Sequence, residues 1–129
     1  MVRSALTFAL YFAASISLLG IFLMAYVRLT RHAEFAAIRA GNTAAAISLG
    51  GATLGFALPV AEIARNSVGV DEFLIWALVA GVAQAIVYLA ARALWRDLSD
   101  QIDQGSTAHG IALAAFSLAV GVLNAACLS

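Results

Sequence analysis

Four long apolar runs separated by short polar stretches organise this chain: Ala5 to Val27, Thr43 to Ala64, Phe73 to Ala91 and Ala108 to Leu128. A helix crossing the bilayer core takes roughly 20 predominantly apolar residues, so each run predicts a membrane span. Within them Glu62 is the one formal charge, apart from His109 if protonated. Met-Val-Arg ahead of the first run resembles the start of a signal peptide. That run is 23 residues long, against roughly 7–15 for a signal core, and it reads as a retained span.

The runs pair up. At an offset of 64 residues Leu10 falls on Leu74, Ala13 on Ala77 and Arg28 on Arg92. The register continues through Ile38 with Ile102, Gly41 with Gly105, Thr43 with Thr107, Ile47 with Ile111, Leu49 with Leu113 and Leu54 with Leu118. Single matches among common residues say little, whereas one gapless register through a span, a loop and a second span says much more. The chain reads as a single all-α domain over 1–129: a polytopic membrane protein of four transmembrane helices, built as two parallel two-helix repeats, about 5–64 and 73–128. Two spans return the chain to the side it left, so both repeats insert the same way round.

Arginine placement orients the spans. Arg28, Arg31, Arg39, Arg92 and Arg96 fall in the loops after the first and third runs, against Arg3 and Arg65 on the other side. Positive residues concentrate in the cytoplasm, which puts these two loops inside and both termini outside. Acids weigh little in that rule, so Glu34, Asp97, Asp100 and Asp103 do not reverse it. Ala33 to Ala40 and Leu98 to Gln104 each suit two helical turns closed by Gly41 and Gly105. Asn42 or Thr43, and Ser106 or Thr107, suit the cap of the span that follows. The GNT and GST triplets thus stop one helix and start the next.

Composition agrees on the solvent. Hydrophobic residues make up 64% and charged residues 11%, with a mean hydropathy of +0.97; a soluble domain of this size would expose large apolar patches. There is no lysine, and seven arginines balance seven acids, which leaves no basic surface for nucleic acid. Cys127 is the single cysteine, so neither an internal disulfide nor a cysteine metal cluster is available. His32 and His109 lack metal-ligand spacing. Neither a nucleophile with its base, a phosphate loop nor a carboxylate pair occurs; the sequence predicts no enzyme, no metal and no cofactor.

In lipid, helices associate through close packing of small residues and a few hydrogen bonds. Span three carries Ala77, Gly81, Gln84, Tyr88 and Ala91 on one stripe, matched in span one by Ala13, Ser17, Gly20, Met24 and Val27. Span two presents Ser48, Gly51, Gly55, Pro59 and Glu62; span four presents Gly110, Ala114, Ser117, Gly121 and Asn124. The opposite side of span two (Ala46, Gly50, Thr53, Ala57) is small as well. Helices small on two sides need neighbours on two sides, so the sequence predicts a homo-oligomer with part of span two or four between copies. Gly51, Gly55, Gly81 and Gly121 are the expected packing glycines.

At about 1.5 Å per residue, Thr53, Gln84 and Ser117 fall near mid-depth and form a candidate polar layer. It has two readings: hydrogen bonds that hold the bundle, or a constriction that meets a substrate. Glu62 and Asn124, toward the outer ends of spans two and four, are a candidate ion-coupling or polar pair, because an intramembrane ionisable group is a functional candidate by default. Arg65 lies close enough to Glu62 for a local pair instead. Pro59 is a candidate hinge that frees the Gly55 carbonyl. Tyr11, Phe12, Tyr26, Trp76 and Trp95 sit near span ends, as an aromatic belt would.

The segments NTAA, LGFALP and NAAC, set within GNTAAAISLGGATLGFALP and the closing GVLNAACLS, give the chain its resemblance to the YjfL family of small bacterial inner-membrane proteins, domain of unknown function 350. The resemblance covers nearly the whole chain. It implies four spans, an inner-membrane location and no assigned activity, and the family's tendency to occur beside envelope-stress and polyamine-related genes points to envelope-stress proteins as partners. The second repeat here reads STAHG where the family often has NTAAG, so His109 is not implied as a family-wide functional residue. Two functions remain open. The leading one is a homo-oligomeric channel or transporter for ions or small solutes, resting on the mid-depth layer, Glu62 and the small faces. The alternative is a non-conducting scaffold or adaptor in an envelope-stress or lipid-homeostasis complex, resting on the patterned loops.

Overall fold

A computed structural model describes residues 2–30, 34–66 and 69–128. Six helices run through them: α1 (Val2–Thr30), α2 (Glu34–Arg39), α3 (Thr43–Asn66), α4 (Val70–Leu94), α5 (Leu98–Asp103) and α6 (Thr107–Leu128). The chain is all-helical, and α1, α3, α4 and α6 are each long and apolar enough to cross a membrane. Each extends past its apolar core by a few residues, taking in flanking polar positions such as Arg65 and Arg92. Arg31 and His32 lie outside the described residues.

The centre of the molecule is the pair α3 and α6, brought together by residues without bulk. Gly51 lies against the backbone of Ala114, Gly110 against that of Ala44, and Gly121 against that of Gly55. A Cβ at any of these glycines would overlap the facing helix. Lipid supplies no hydrophobic drive between helices, so this closeness is what holds the pair, through dispersion contact along its length. α4 packs against both, burying Phe73, Ala77, Ala80, Gln84, Tyr88 and Ala91.

α1 lies outside this group and is held by aromatic rings. Phe22 stacks on Phe56 of α3 with centroids 4.3 Å apart and planes 2° from parallel. Tyr26 meets Tyr88 edge-on at 6.0 Å, and Tyr11 meets Phe73 the same way at 5.5 Å. Such contacts add roughly 0.5–1.5 kcal/mol beyond burial. Two expectations are corrected here. Ala13, Ser17, Gly20 and Met24, the predicted packing stripe of the first span, are exposed, with nothing within 4 Å of a Cβ at Gly20. Tyr26 is no belt residue: it is 2% exposed, drawn inward by Phe22 and Tyr88.

The turn helices repeat one another closely. Gly41 has φ 89° and Gly105 φ 90°, the left-handed conformation that ends a helix at low cost only in glycine. Around Gly41, the amides of Ala40, Gly41 and Asn42 donate to the carbonyls of Ala36, Ile38 and Ala37. Around Gly105, those of Gln104, Gly105 and Ser106 donate to Asp100, Ile102 and Gln101. Every donor and acceptor in the second set lies 64 positions after its counterpart in the first.

Candidate functional site

The mid-depth crossing of α3, α4 and α6 gathers the least expected polar chemistry in the molecule. Gln84 Nε2 donates to the backbone carbonyl of Ser117 at 3.0 Å, and both residues are fully buried. Gly55 makes room for this bond, since a Cβ there would stand 2.7 Å from Gln84 Nε2. Pro59, buried in the interior of α3, has no N–H to offer the Gly55 carbonyl four residues back. Gly121 lies directly against that freed carbonyl, while α3 continues as helix through Pro59 to Asn66. Gln84 Oε1 and Ser117 Oγ are buried without a hydrogen-bond partner.

Two of the three layer residues therefore meet, and the third does not. Thr53 stands two positions from both Gly51 and Gly55, which at 3.6 residues per turn sets it on the other side of α3. Its Oγ1 donates to the Leu49 carbonyl at 2.7 Å within its own helix, the self-satisfaction open to Thr in helices. The crossing carries no titratable group. Its chemistry is hydrogen bonding between helices, with Gln84 and Ser117 both fully buried.

Glu62 and Asn124 are not joined. Glu62 Oε1 accepts from Arg65 Nη1 at 3.1 Å, and Asn66 Nδ2 donates to the Glu62 carbonyl at 3.1 Å. Glu62 Oε2 and Asn124 Nδ2 both lack a partner, so no hydrogen bond links the two side chains. The reason is position: Arg65 is one turn on along the same face of α3. Asn124 instead borders a shallow cavity of about 360 Å³ with Asn66, Glu72, Trp76 and Cys127. Gly81 differs from the other packing glycines. Its nearest neighbours are the rings of Phe56 and Phe22, at 3.6 and 3.8 Å, and it borders an apolar groove of about 460 Å³ between α1 and α4.

One residue does more than its sequence position announced. Asn42 Oδ1 accepts from the Ala45 amide at 3.1 Å, the expected cap of α3. Its Nδ2 also donates to the carbonyls of Ile102 and Asp103, at 2.8 and 3.2 Å. Asn42 thus ties the first half of the chain to the end of α5. No local pattern signals this, because the partners are backbone groups sixty residues away. Its counterpart Ser106 turns instead to its own helix, its Oγ 2.7 Å from His109 Nδ1. The His109 ring meets Trp95 edge-on at 6.2 Å.

Comparisons with known proteins show the family. The family described as Domain of Unknown Function (DUF350) matches residues 1–128. The chain is 34% identical over 126 residues to the UPF0719 inner membrane protein YjfL of Escherichia coli strain K12, covering 98% of this chain and 96% of that protein. The protein of the same description from Escherichia coli O157:H7 matches to the same extent. No solved structure matches. A family match over essentially the whole chain, full-length relatives in the inner membrane and four apolar helices of spanning length converge on one conclusion: this is a multi-pass inner-membrane protein that belongs to the DUF350 family.

Proposed function

We propose that this protein is a non-conducting component of the inner membrane that assembles with copies of itself, each protomer made of two parallel two-helix repeats with both termini periplasmic. The observation that carries the reading is the buried bond from Gln84 to Ser117. This bond holds α4 to α6 at mid-depth, and a substrate would have to break it to pass through the protomer. On this reading the protein performs no catalysis and needs no cofactor. Its partners are further copies of the chain and envelope proteins reached through α2 and α5.

The repeat is supported by the two turn segments, whose hydrogen bonds and glycine conformations correspond residue by residue at an offset of 64. The orientation is supported by the arginines of the α1–α2 and α4–α5 connections. Proteoliposomes carrying wild type and Gln84→Leu test the function. Neither is expected to conduct common ions or small solutes, while the variant melts earlier. Flux in the wild type that collapses in a folded Gln84→Leu protein would make the layer a constriction, closed by dewetting, and would overturn the proposal.

A small channel or transporter running between copies is the second reading, favoured by the exposed side of α3 on which Gly50 has no neighbour within 4 Å and Thr53 is half-buried. Wild-type flux that Thr53→Leu abolishes while Gln84→Leu leaves it intact would select this reading.

A further inference from the structure

We infer that a second copy of this chain docks on the exposed side of α3 by repeating, between chains, the contact that α3 and α6 make within one. The inference rests on the equivalence of the two repeats. α3 meets α6 through Ala44, Gly51 and Gly55, and α6 meets α3 through Gly110, Ala114, Ser117 and Gly121. Moved back by 64, the α6 set falls on Ala46, Gly50, Thr53 and Ala57 of α3. At about 100° per residue those positions lie roughly half a turn from the face that α3 uses. The internal contact is therefore heterologous, joining one face of the first repeat to the opposite face of the second. Such a contact leaves one mating surface unused on each side.

Both unused surfaces are present and largely open. On α3, Ala46 and Gly50 are exposed and Thr53 and Ala57 half-buried. On α6, the counterparts of Ala44, Gly51 and Gly55 are Ala108, Ala115 and Ala119, all exposed. The pairing of Gly51 with Ala114 inside the chain maps onto Ala115 of one copy against Gly50 of the next, again a glycine beside an alanine.

A separate observation on α1 points to the same neighbour. In α4, Gly81 and Gln84 pack toward Phe56 and Gly55 of the preceding α3. Their counterparts in α1, Ser17 and Gly20, are exposed, with none of the described helices set against them. The α6 of an adjoining copy would supply that missing neighbour in the same register, setting its Ala119 beside Gly20 and Thr53. A single docking mode thus covers bare surfaces on three helices.

Cysteine cross-linking tests it in a Cys127→Ser background, since Cys127 is exposed. Gly50→Cys and Ala115→Cys chains carrying different tags are co-expressed and oxidised in native membranes with copper phenanthroline. A disulfide forms only with Cα atoms roughly 4.4–6.8 Å apart. The expected result is a cross-linked dimer from the mixed pair and none from either variant alone. A chain carrying both cysteines should give a ladder beyond the dimer, as each copy engages two neighbours. Gly50–Gly50 or Ala115–Ala115 links of equal yield, or a double variant that stops at the dimer, would overturn the inference while leaving an assembling protein in place. No link in any arm, with correctly inserted chains that are monomeric in nanodiscs, would overturn both the inference and the assembling function.

Discussion

Gly55 of α3 and Gly121 of α6 touch backbone to backbone, so that a methyl group at position 121 would overlap the carbonyl, the carbonyl carbon and the Cα of Gly55. Gly51 and Ala114, four and seven residues earlier on their helices, meet in the same manner. This seam sets how the protein should respond to substitution.

Gly121→Ala and Gly55→Ala should each destabilise the protein, by about 1–3 kcal/mol as over-packing of a filled site does. Gly50→Ala, one position from Gly51 but facing open space, should leave the melting temperature of the protomer unchanged or higher. Thermal unfolding in mild detergent checks all three. Equal effects at Gly50 and Gly55 would contradict the helix faces described above.

Gln84→Leu should cost little, about 0.6 kcal/mol for the lost interhelical bond, because it also removes the unpartnered Oε1. Denaturant or thermal unfolding of the purified variant reads this directly. A loss of several kcal/mol would mean that Gln84 makes further bonds beyond the one to Ser117.

Asn42→Ala removes a helix cap worth about 0.5–2 kcal/mol and, with it, the donor to Ile102 and Asp103. Hydrogen exchange should accelerate at the start of α3 and across residues 101–106 together. Acceleration confined to α3 would show that the tie to α5 carries no weight.

Gly41→Ala and Gly105→Ala each force a side chain into the left-handed region, at roughly 1–2 kcal/mol. The matching φ values predict matching losses in unfolding experiments. Markedly unequal losses would argue that the two turns are only superficially alike.

Reporter fusions should show periplasmic activity at residue 129 and cytoplasmic activity within residues 97–104, following the arginine bias. Cytoplasmic activity at residue 129 would reverse the topology.

The spans and the turn glycines were legible because each rests on a local rule. Length and hydropathy make a span, and a helix closed by glycine needs a positive φ. Partners across the bundle were not legible on the same terms. Gly51, Gly55 and Gly121 announced close packing, yet nothing near them says whether the neighbour belongs to the same chain or another. The α1 stripe failed for a related reason: Ser17 and Gly20 sit where the repeat predicts packing, but none of the described helices covers them. Thr53 shared a depth with Gln84 and Ser117 without sharing a face. Depth follows from counting residues, whereas face depends on where the neighbouring helices stand.

The seam between α3 and α6 also has a consequence for how the chain is made. α6 is the last of the described helices to leave the ribosome, and α3 waits through the synthesis of α4 and α5 with its glycine face turned to lipid. α1 takes no part in this seam, being held to α3 and α4 by ring contacts instead. A nascent chain stalled before Thr107 would therefore display the bare backbone around Gly51 and Gly55 together with an unanswered Gln84.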